Sequence, residues 1–277
     1  MKNLYLVPVL ALLLLTNACG GGAERSIVLM TYNVGAFGKE LDDSAPMIAA
    51  MICELGAETV ALNELDSCNR RHDIDQVRHL VDCLNAVSAD TKGGKAVWDG
   101  RFGRAMAFAG GAYGNGVVTR QKIKDHFNIA LPKEEGSEPR VCVVVETPDY
   151  VYAACHLDHI GEAARQEQAR VMTEELLRRY ADSRKPVFLA GDFNDTPDSP
   201  VIRQLSRDWV LLSPLADSYS ALDPHVCIDY IFLLRNLASV RVLRSEGDAT
   251  TSSGITSGDV KLASDHLPVA IRVAFRR

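Results

Sequence analysis

Short apolar runs alternate along most of the chain with segments whose apolar residues recur every three or four positions. The runs Ser26–Asn33, Thr59–Glu64, Gly116–Arg120, Val141–Glu146, Val151–His156, Ile228–Leu234, Val240–Arg244 and Val269–Phe275 predict β-strands, and Val187–Gly191 reads as a short buried one. Pro46–Leu55 predicts a helix: Pro opens it, Met47, Ile48, Met51, Ile52 and Leu55 share a face, and Gly56 stands just past its end. Ile74–Ala86 reads as a second helix and Pro200–Arg207 as a short one. Glu162–Tyr180 reads as a long, charged, amphipathic helix with Val171, Leu176 and Leu177 facing inward. Ala249–Lys261, rich in Ser, Thr and Gly, reads as a loop. With no tandem repeat and no long linker after residue 26, strands and helices mixed in this way predict a single layered α/β domain over residues 26–277.

The N-terminus follows another pattern. Lys2 gives a short basic start, and Leu4 to Leu15 is almost unbroken apolar sequence. That stretch is too short to span a bilayer and fits the core of a secretory signal. Thr16-Asn17-Ala18-Cys19 and three glycines follow. The arrangement resembles the bacterial lipoprotein signal, which implies residues 1–18 as signal peptide, lipidation of Cys19 and a tether over residues 19–25. Thr16 stands where that signal usually has Leu, and a plain secretory signal cleaved nearby is the alternative. Either reading implies export, and the lipoprotein reading implies anchoring to a bacterial membrane, periplasmic or at the cell surface.

Composition narrows the function classes. The chain has 277 residues, 47% hydrophobic and 24% charged, which excludes collagen-like, coiled-coil and disordered readings. Its formal charge is −6, no Lys/Arg run is long enough to suggest a basic face, and no stable nucleic-acid complex is expected. Of seven cysteines none forms a C-x-x-C pair, which removes the main support for zinc and thioredoxin-type chemistry. Pairing the strands on either side of Thr147–Tyr150 symmetrically would set Cys142 opposite Cys155. Two buried thiols and a disulfide are both open there, with the thiols favoured.

Chemistry concentrates at the ends of the predicted strands. Asn33 ends the first and Glu64 the second. His156 ends a middle strand, within Cys155-His156-Leu157-Asp158-His159. Asp192 and Asn194 follow a later strand, Asp229 lies in Ile228-Asp229-Tyr230-Ile231, and Ser264-Asp265-His266 precedes the last. Polar residues at the ends of buried strands converge on one rim, where scaffolded active sites are built. Glu64 and Asn33 offer hard oxygen ligands suited to Mg²⁺ or Mn²⁺. His156 and His266 have an Asp close by in sequence, so charge-tuned imidazoles are expected. No G-x-S-x-G elbow or Walker loop is present.

Gly191-Asp192-Phe193-Asn194 and Ser264-Asp265-His266-Leu267-Pro268, taken with the other motifs in order over residues 26–275, resemble the endonuclease/exonuclease/phosphatase superfamily. The resemblance implies an α/β (α+β) four-layer sandwich: two mixed β-sheets packed face to face, helices outside. It implies Glu64 as principal Mg²⁺ ligand, Mn²⁺ being the alternative ion, with Asn33 and Asp265 completing the metal site. Asp192 would orient or deprotonate the attacking water, and Asn194 would hold that water or a phosphate oxygen. Asp229 would bond His266, and His156 would be a second donor to the phosphate. Tyr113-Gly114-Asn115 resembles the family's Tyr-Gly-Asn strand and places Tyr113 and Asn115 near substrate. Asp158 and His159 match a bacterial subgroup in which they line the substrate site, and Arg70, Arg71, Asp75 and Gln76 echo it too, although a solvated loop and helix start reads equally well. Asn63 stands where the family usually has Gln. Gly35 replaces the acidic residue of some apurinic endonucleases, which weakens that reading.

Arg165 and Gln168 are expected to tie the long helix to the His156 loop. His72, His79, His126 and His225 have no motif and read as surface residues. The expectation is a monomeric, exported, membrane-anchored Mg²⁺-dependent hydrolase of phosphomonoesters or phosphodiesters, its substrate a small molecule or lipid head group rather than DNA. A secreted nuclease is the runner-up, and a non-catalytic binding module on the same fold the third reading.

Overall fold

The computed structural model describes residues 24–90, 97–243, 250–251 and 255–276. The expected signal segment and Cys19 lie outside the described residues. The chain forms β1 (Glu24–Asn33), a 3-10 turn (Gly35–Phe37), α1 (Ala45–Glu54), β2 (Thr59–Ser67), α2 (Gln76–Asp90), β3 (Asp99–Phe108), β4 (Gly111–Thr119), β5 (Asp125–Leu131), β6 (Arg140–Glu146) and β7 (Val151–His156). There follow α3 (Glu162–Tyr180), β8 (Val187–Asp192), α4 (Pro200–Leu205), β9 (Trp209–Leu211), β10 (Asp229–Leu234), β11 (Val240–Val242), β12 (Thr250–Thr251), α5 (Val260–Ala263) and β13 (Val269–Arg276). Among these helices none is long and apolar enough to cross a membrane.

The strands form two sheets. One runs β11-β13-β1-β2-β4-β3, with β12 also pairing β13; the other runs β5-β6-β7-β8-β10-β9. Each is antiparallel except for one adjacent parallel pair, β1 with β2 and β7 with β8. Alternation along each strand divides the core into layers. Ile27 and Leu29 of β1 meet Val141, Val143 and Val145 of β6 between the sheets. Val28, Met30 and Tyr32 turn outward under α1 and α2, while Cys142 and Val144 turn outward under α3 and α4. Both faces of the central strands are therefore covered, which is why β6, β7 and β8 are apolar on nearly consecutive positions. The result is the expected four-layer sandwich, helices outside two mixed sheets.

The departures from expectation have physical causes. The strands β3, β5 and β9, not anticipated in the sequence, lie at sheet edges; β3 and β5 carry Arg, Asp, Asn and Gly rather than a continuous apolar run, and β9 is only the three residues Trp209–Leu211. Glu24 and Arg25, expected in the tether, already belong to β1, where Arg25 forms ion pairs with Glu58 and Asp149. The Ala249–Lys261 segment is not all loop: β12 adds to the edge of β13, and Asp259 caps α5 by accepting from the Lys261 amide at 2.9 Å. Along α3 the buried stripe runs through Gln168, Met172, Thr173 and Leu176, with Val171 and Leu177 only at its margin. Cys142 faces Cys155 in register as expected, and both are buried free thiols.

Candidate active site

The C-terminal ends of the two parallel pairs meet. Asn33 ends β1 and pairs with Asn63 midway along β2, and His156 pairs with Asp192 at the end of β7 and β8. Asn63, wholly buried, fastens one end to the other. Its Nδ2 donates to the Cys155 carbonyl at 2.8 Å and to Asn115 Oδ1 at 3.1 Å, and its Oδ1 accepts from the Asp192 amide at 3.0 Å. Gly191 permits the close approach of β7 and β8. Its φ is +152°, and a Cβ there would lie 1.8 Å from the Cys155 carbonyl oxygen.

Glu64 does not end its strand, as the sequence suggested. It sits in a bulge of β2, between Leu62 and Leu65, with φ +58°. The bulge turns its carboxylate out of the pleat toward Asn33, whose Nδ2 lies 3.2 Å from Glu64 Oε1. Across from Glu64 stands Asp265. The Lys39 ammonium lies between them, 2.9 Å from Asp265 Oδ2 and 3.6 Å from Glu64 Oε2. Burial opposes that charge, but Glu64 and Asp265 outweigh it and raise the lysine's pKa, so a cation already occupies the gap. Two carboxylates flanking a cation form a hard-oxygen pair that fits a divalent metal such as Mg²⁺, whereas Asn33, expected as a ligand, turns its Nδ2 to Glu64 and spends its Oδ1 on the Gly35 amide at 3.2 Å, so it braces the pair.

Next to this pair lies a buried acid–base group. His266 places Nδ1 2.9 Å from Asp229 Oδ2, and Ser218 donates to the same oxygen at 2.6 Å. His266 Nε2 lies 3.6 Å from Asp192 Oδ2 and 3.3 Å from Asn33 Nδ2. Burial would lower the His266 pKa. The Asp229 carboxylate overrides it, through charge and hydrogen bond, and with Asp192 and Asp265 beyond it lifts the pKa to about 9. Burial, then the nearby Asp229, raises Asp192 to about 7. Ligand atoms of Asp192, Asp229 and His266 lie within 4.8 Å of one another, close enough to hold a metal. A protonated His266 would not ligate, so the Glu64–Asp265 gap fits a cation better.

Asp192 is held from several sides: its Oδ1 accepts from the Asn194 amide at 2.8 Å and its Oδ2 from Asn33 Nδ2 at 3.1 Å. Asn194, at φ +51°, spends Nδ2 on the Leu157 carbonyl at 3.0 Å. His156 sets Nε2 3.5 Å from Asp192 Oδ2. Burial first, then the Arg140 guanidinium, holds its pKa well below the usual 6.5, so His156 is neutral beside a cationic His266.

The expected substrate residues divide. Tyr113 flanks the site and faces Arg71 and Phe108, its hydroxyl pKa raised by burial and then by the Glu64 charge. Asn115 turns into the interface between the sheets, where its Nδ2 donates to the Val141 carbonyl and its Oδ1 accepts from Asn63, so the structure gives it a bracing role. Asp158 Oδ1 caps the turn into α3 by accepting from Ile160 and Gly161. His159 is exposed and receives a hydrogen bond from Arg140. Arg165 and Gln168 tie α3 to this loop as expected: Arg165 donates to the Asp158 carbonyl and to Asp195, and Gln168 accepts from the Asp158 amide at 2.8 Å.

Other residues took unexpected roles. Gln76 is buried and links the Asp66 amide to the Ala36 carbonyl, a structural tie rather than a solvated helix start. His72, expected on the surface, joins Arg71 in hydrogen-bonding the buried Asp66 carboxylate, whose pKa is lowered although burial opposes it. Sequence reasoning passed over Lys39, Ser218 and Arg140 as site residues, and saw in Asn63 only a shortened amide. A lone Arg opening the apolar β6 was the signal for Arg140, whereas Lys39 lies in a polar loop with nothing to mark it.

The sequence matches the Endonuclease/Exonuclease/phosphatase family over residues 30–266. No curated protein matches it. An endonuclease/exonuclease/phosphatase family protein from Bacteroides thetaiotaomicron is similar in structure, with a TM-score of 0.67 and 20% identity over 92% of this chain and 96% of that one. One from Beutenbergia cavernae gives 0.65 at 23% identity, over 91% of this chain and 72% of that one. The mannosyl-6-phosphatase of Bacteroides thetaiotaomicron gives 0.62 at 18%, over 89% and 99%. At these identities the likeness is one of fold.

Proposed function

As the chain belongs to the endonuclease/exonuclease/phosphatase family, hydrolases of phosphate ester bonds, we propose that it is an exported, lipid-anchored, Mg²⁺-dependent phosphoesterase that cleaves a mono- or diester of a small molecule or lipid head group. One observation carries this reading. Asn33 contacts Glu64 of the carboxylate pair, Asp192 and His266, which brings a hard-cation site, a base and an imidazolium around one point.

Glu64 and Asp265, with Asn33 beside them, would hold the ion, which when bound would supply positive charge to phosphate oxygens. Asp192, ionised, orients water and takes its proton. His266, held cationic by Asp229, faces the negative charge that grows on phosphorus. His156 donates from Nε2 to a second phosphate oxygen. Asn194 positions Asp192 through its amide, and Tyr113, Asp158 and His159 flank the space beyond. Net negative charge supports a non-DNA substrate and a monomer without a nucleic-acid partner. Residues 1–25 support export and the membrane anchor at Cys19.

A hydrolysis screen tests the reading: bis-p-nitrophenyl phosphate, phosphomonoesters, a sphingomyelin-type lipid and plasmid DNA, with Mg²⁺ or EDTA and His266→Ala as control. Turnover that needs Mg²⁺ and vanishes in the variant is expected. Preference for DNA that falls steeply with salt would favour a nuclease. Silence on every substrate would favour a binding module.

A further inference from the structure

Arg140 opens β6, and its side chain is only 4% exposed. One terminal nitrogen lies 3.2 Å from His156 Nδ1 and the other 3.1 Å from His159 Nδ1, while Glu138 stands 3.5 Å away. The Nε–H is buried with no partner among the described residues. A guanidinium only donates, and it stays charged at any working pH. A ring nitrogen facing it at hydrogen-bond distance must therefore present its lone pair. We propose that Arg140 is a positioning residue that fixes the proton of His156, and that of His159, on Nε2.

The consequence bears on the site already described, and rests on the reading of His156 as a phosphate donor. A neutral imidazole has one N–H. With Nδ1 committed to Arg140, the Nε2–H of His156 points at Asp192 Oδ2, 3.5 Å away, into the same space as His266. Without Arg140 either nitrogen could carry the proton, and half the ring's orientations would offer phosphate a lone pair instead of a donor. Arg140 thus acts on substrate through the histidines. A lysine is a poor substitute, since one ammonium does not span two rings as a planar fork does.

The test is ¹⁵N NMR of the purified full chain labelled in histidine, with His156→Ala and His159→Ala to assign the rings. The expected spectrum shows both rings as neutral Nε2–H tautomers. In Arg140→Met the His156 signals shift toward a mixture of tautomers and kcat falls about a hundredfold, and Arg140→Lys recovers only part of either. A wild-type His156 protonated on Nδ1 overturns the proposal, and this measurement decides even if Arg140→Met fails to fold. So does an Arg140→Met protein with unchanged tautomer and kcat. The spectrum is independent of turnover: if His156→Ala retains full activity, the donor reading fails while the tautomer assignment stands.

Discussion

His266 gives its Nδ1 proton to a carboxylate oxygen of Asp229 that also accepts from Ser218, so a single buried oxygen holds the ring in place and holds its charge. The other Asp229 oxygen, Oδ1, is buried without a hydrogen-bond partner among the described residues. Asp229→Asn keeps the shape and removes the charge. It should lower kcat/KM about 10²- to 10³-fold, in line with loss of one preorganised electrostatic group. With Asp229 neutral, the His266 pKa drops from about 9, and the alkaline limb of the pH–rate profile moves to lower pH. An unmoved limb would show that another group sets it.

The same shift governs stability in EDTA. His266 has a folded pKa of about 9 against 6.5 for the ordinary side chain. A raised pKa contributes stability fully present below pH 6.5 and lost as pH climbs through 9. For this buried ring the difference is on the order of 3 kcal/mol. Urea melts of wild type and His266→Ala should therefore differ most near pH 6 and converge by about that amount toward pH 9.5. A gap constant with pH would refute the raised value.

Lys39 occupies the space that a divalent ion would take between Glu64 and Asp265. Removing its charge in Lys39→Met should tighten Mn²⁺ binding, read by titration calorimetry, roughly tenfold. Equal affinities for variant and wild type would mean that the ammonium swings clear at no cost.

Asn63→Ala deletes one buried donor and one buried acceptor group, stranding the Asp192 amide and the Cys155 carbonyl. Each stranded group costs about 1–3 kcal/mol, so the urea midpoint should fall by an amount equivalent to roughly 2–6 kcal/mol. Asn63→Gln, a longer amide, should recover part of the loss. A midpoint within error of wild type would remove Asn63 as the brace between sheets.

The central strands were legible because burial on both faces writes itself as apolar sequence, as at Val141–Val145 and Val187–Ala190. Edge strands escaped for the converse reason: Asp99–Phe108 interleaves Arg, Gly and Ala on a half-exposed surface. The structure brings Asn33, His156, Asp192, Asp229 and His266 together, as their positions where buried strands stop or start suggested. The sequence could not show that Asn115 turns inward, since a strand residue's partner depends on the opposing sheet. Nor could it show the bulge at Glu64, because pairing register with β4 creates it.

Glu64 and Asn33 stand in the first quarter of the chain, while His156, Asp192, Asp229 and His266 come from its second half. The two groups meet where the pair β1–β2 abuts the pair β7–β8, and where the segment before β13 returns beside β1. Every hydrogen bond between them across the candidate site is thus a loop closure of more than a hundred residues, and such closures carry the slow, entropy-limited part of folding. The second sheet can collapse on its own helices, whereas the first closes only when β13 returns to β1 from the far end of the chain. Catalytic competence should then appear in refolding as a late phase, after helical circular dichroism has returned.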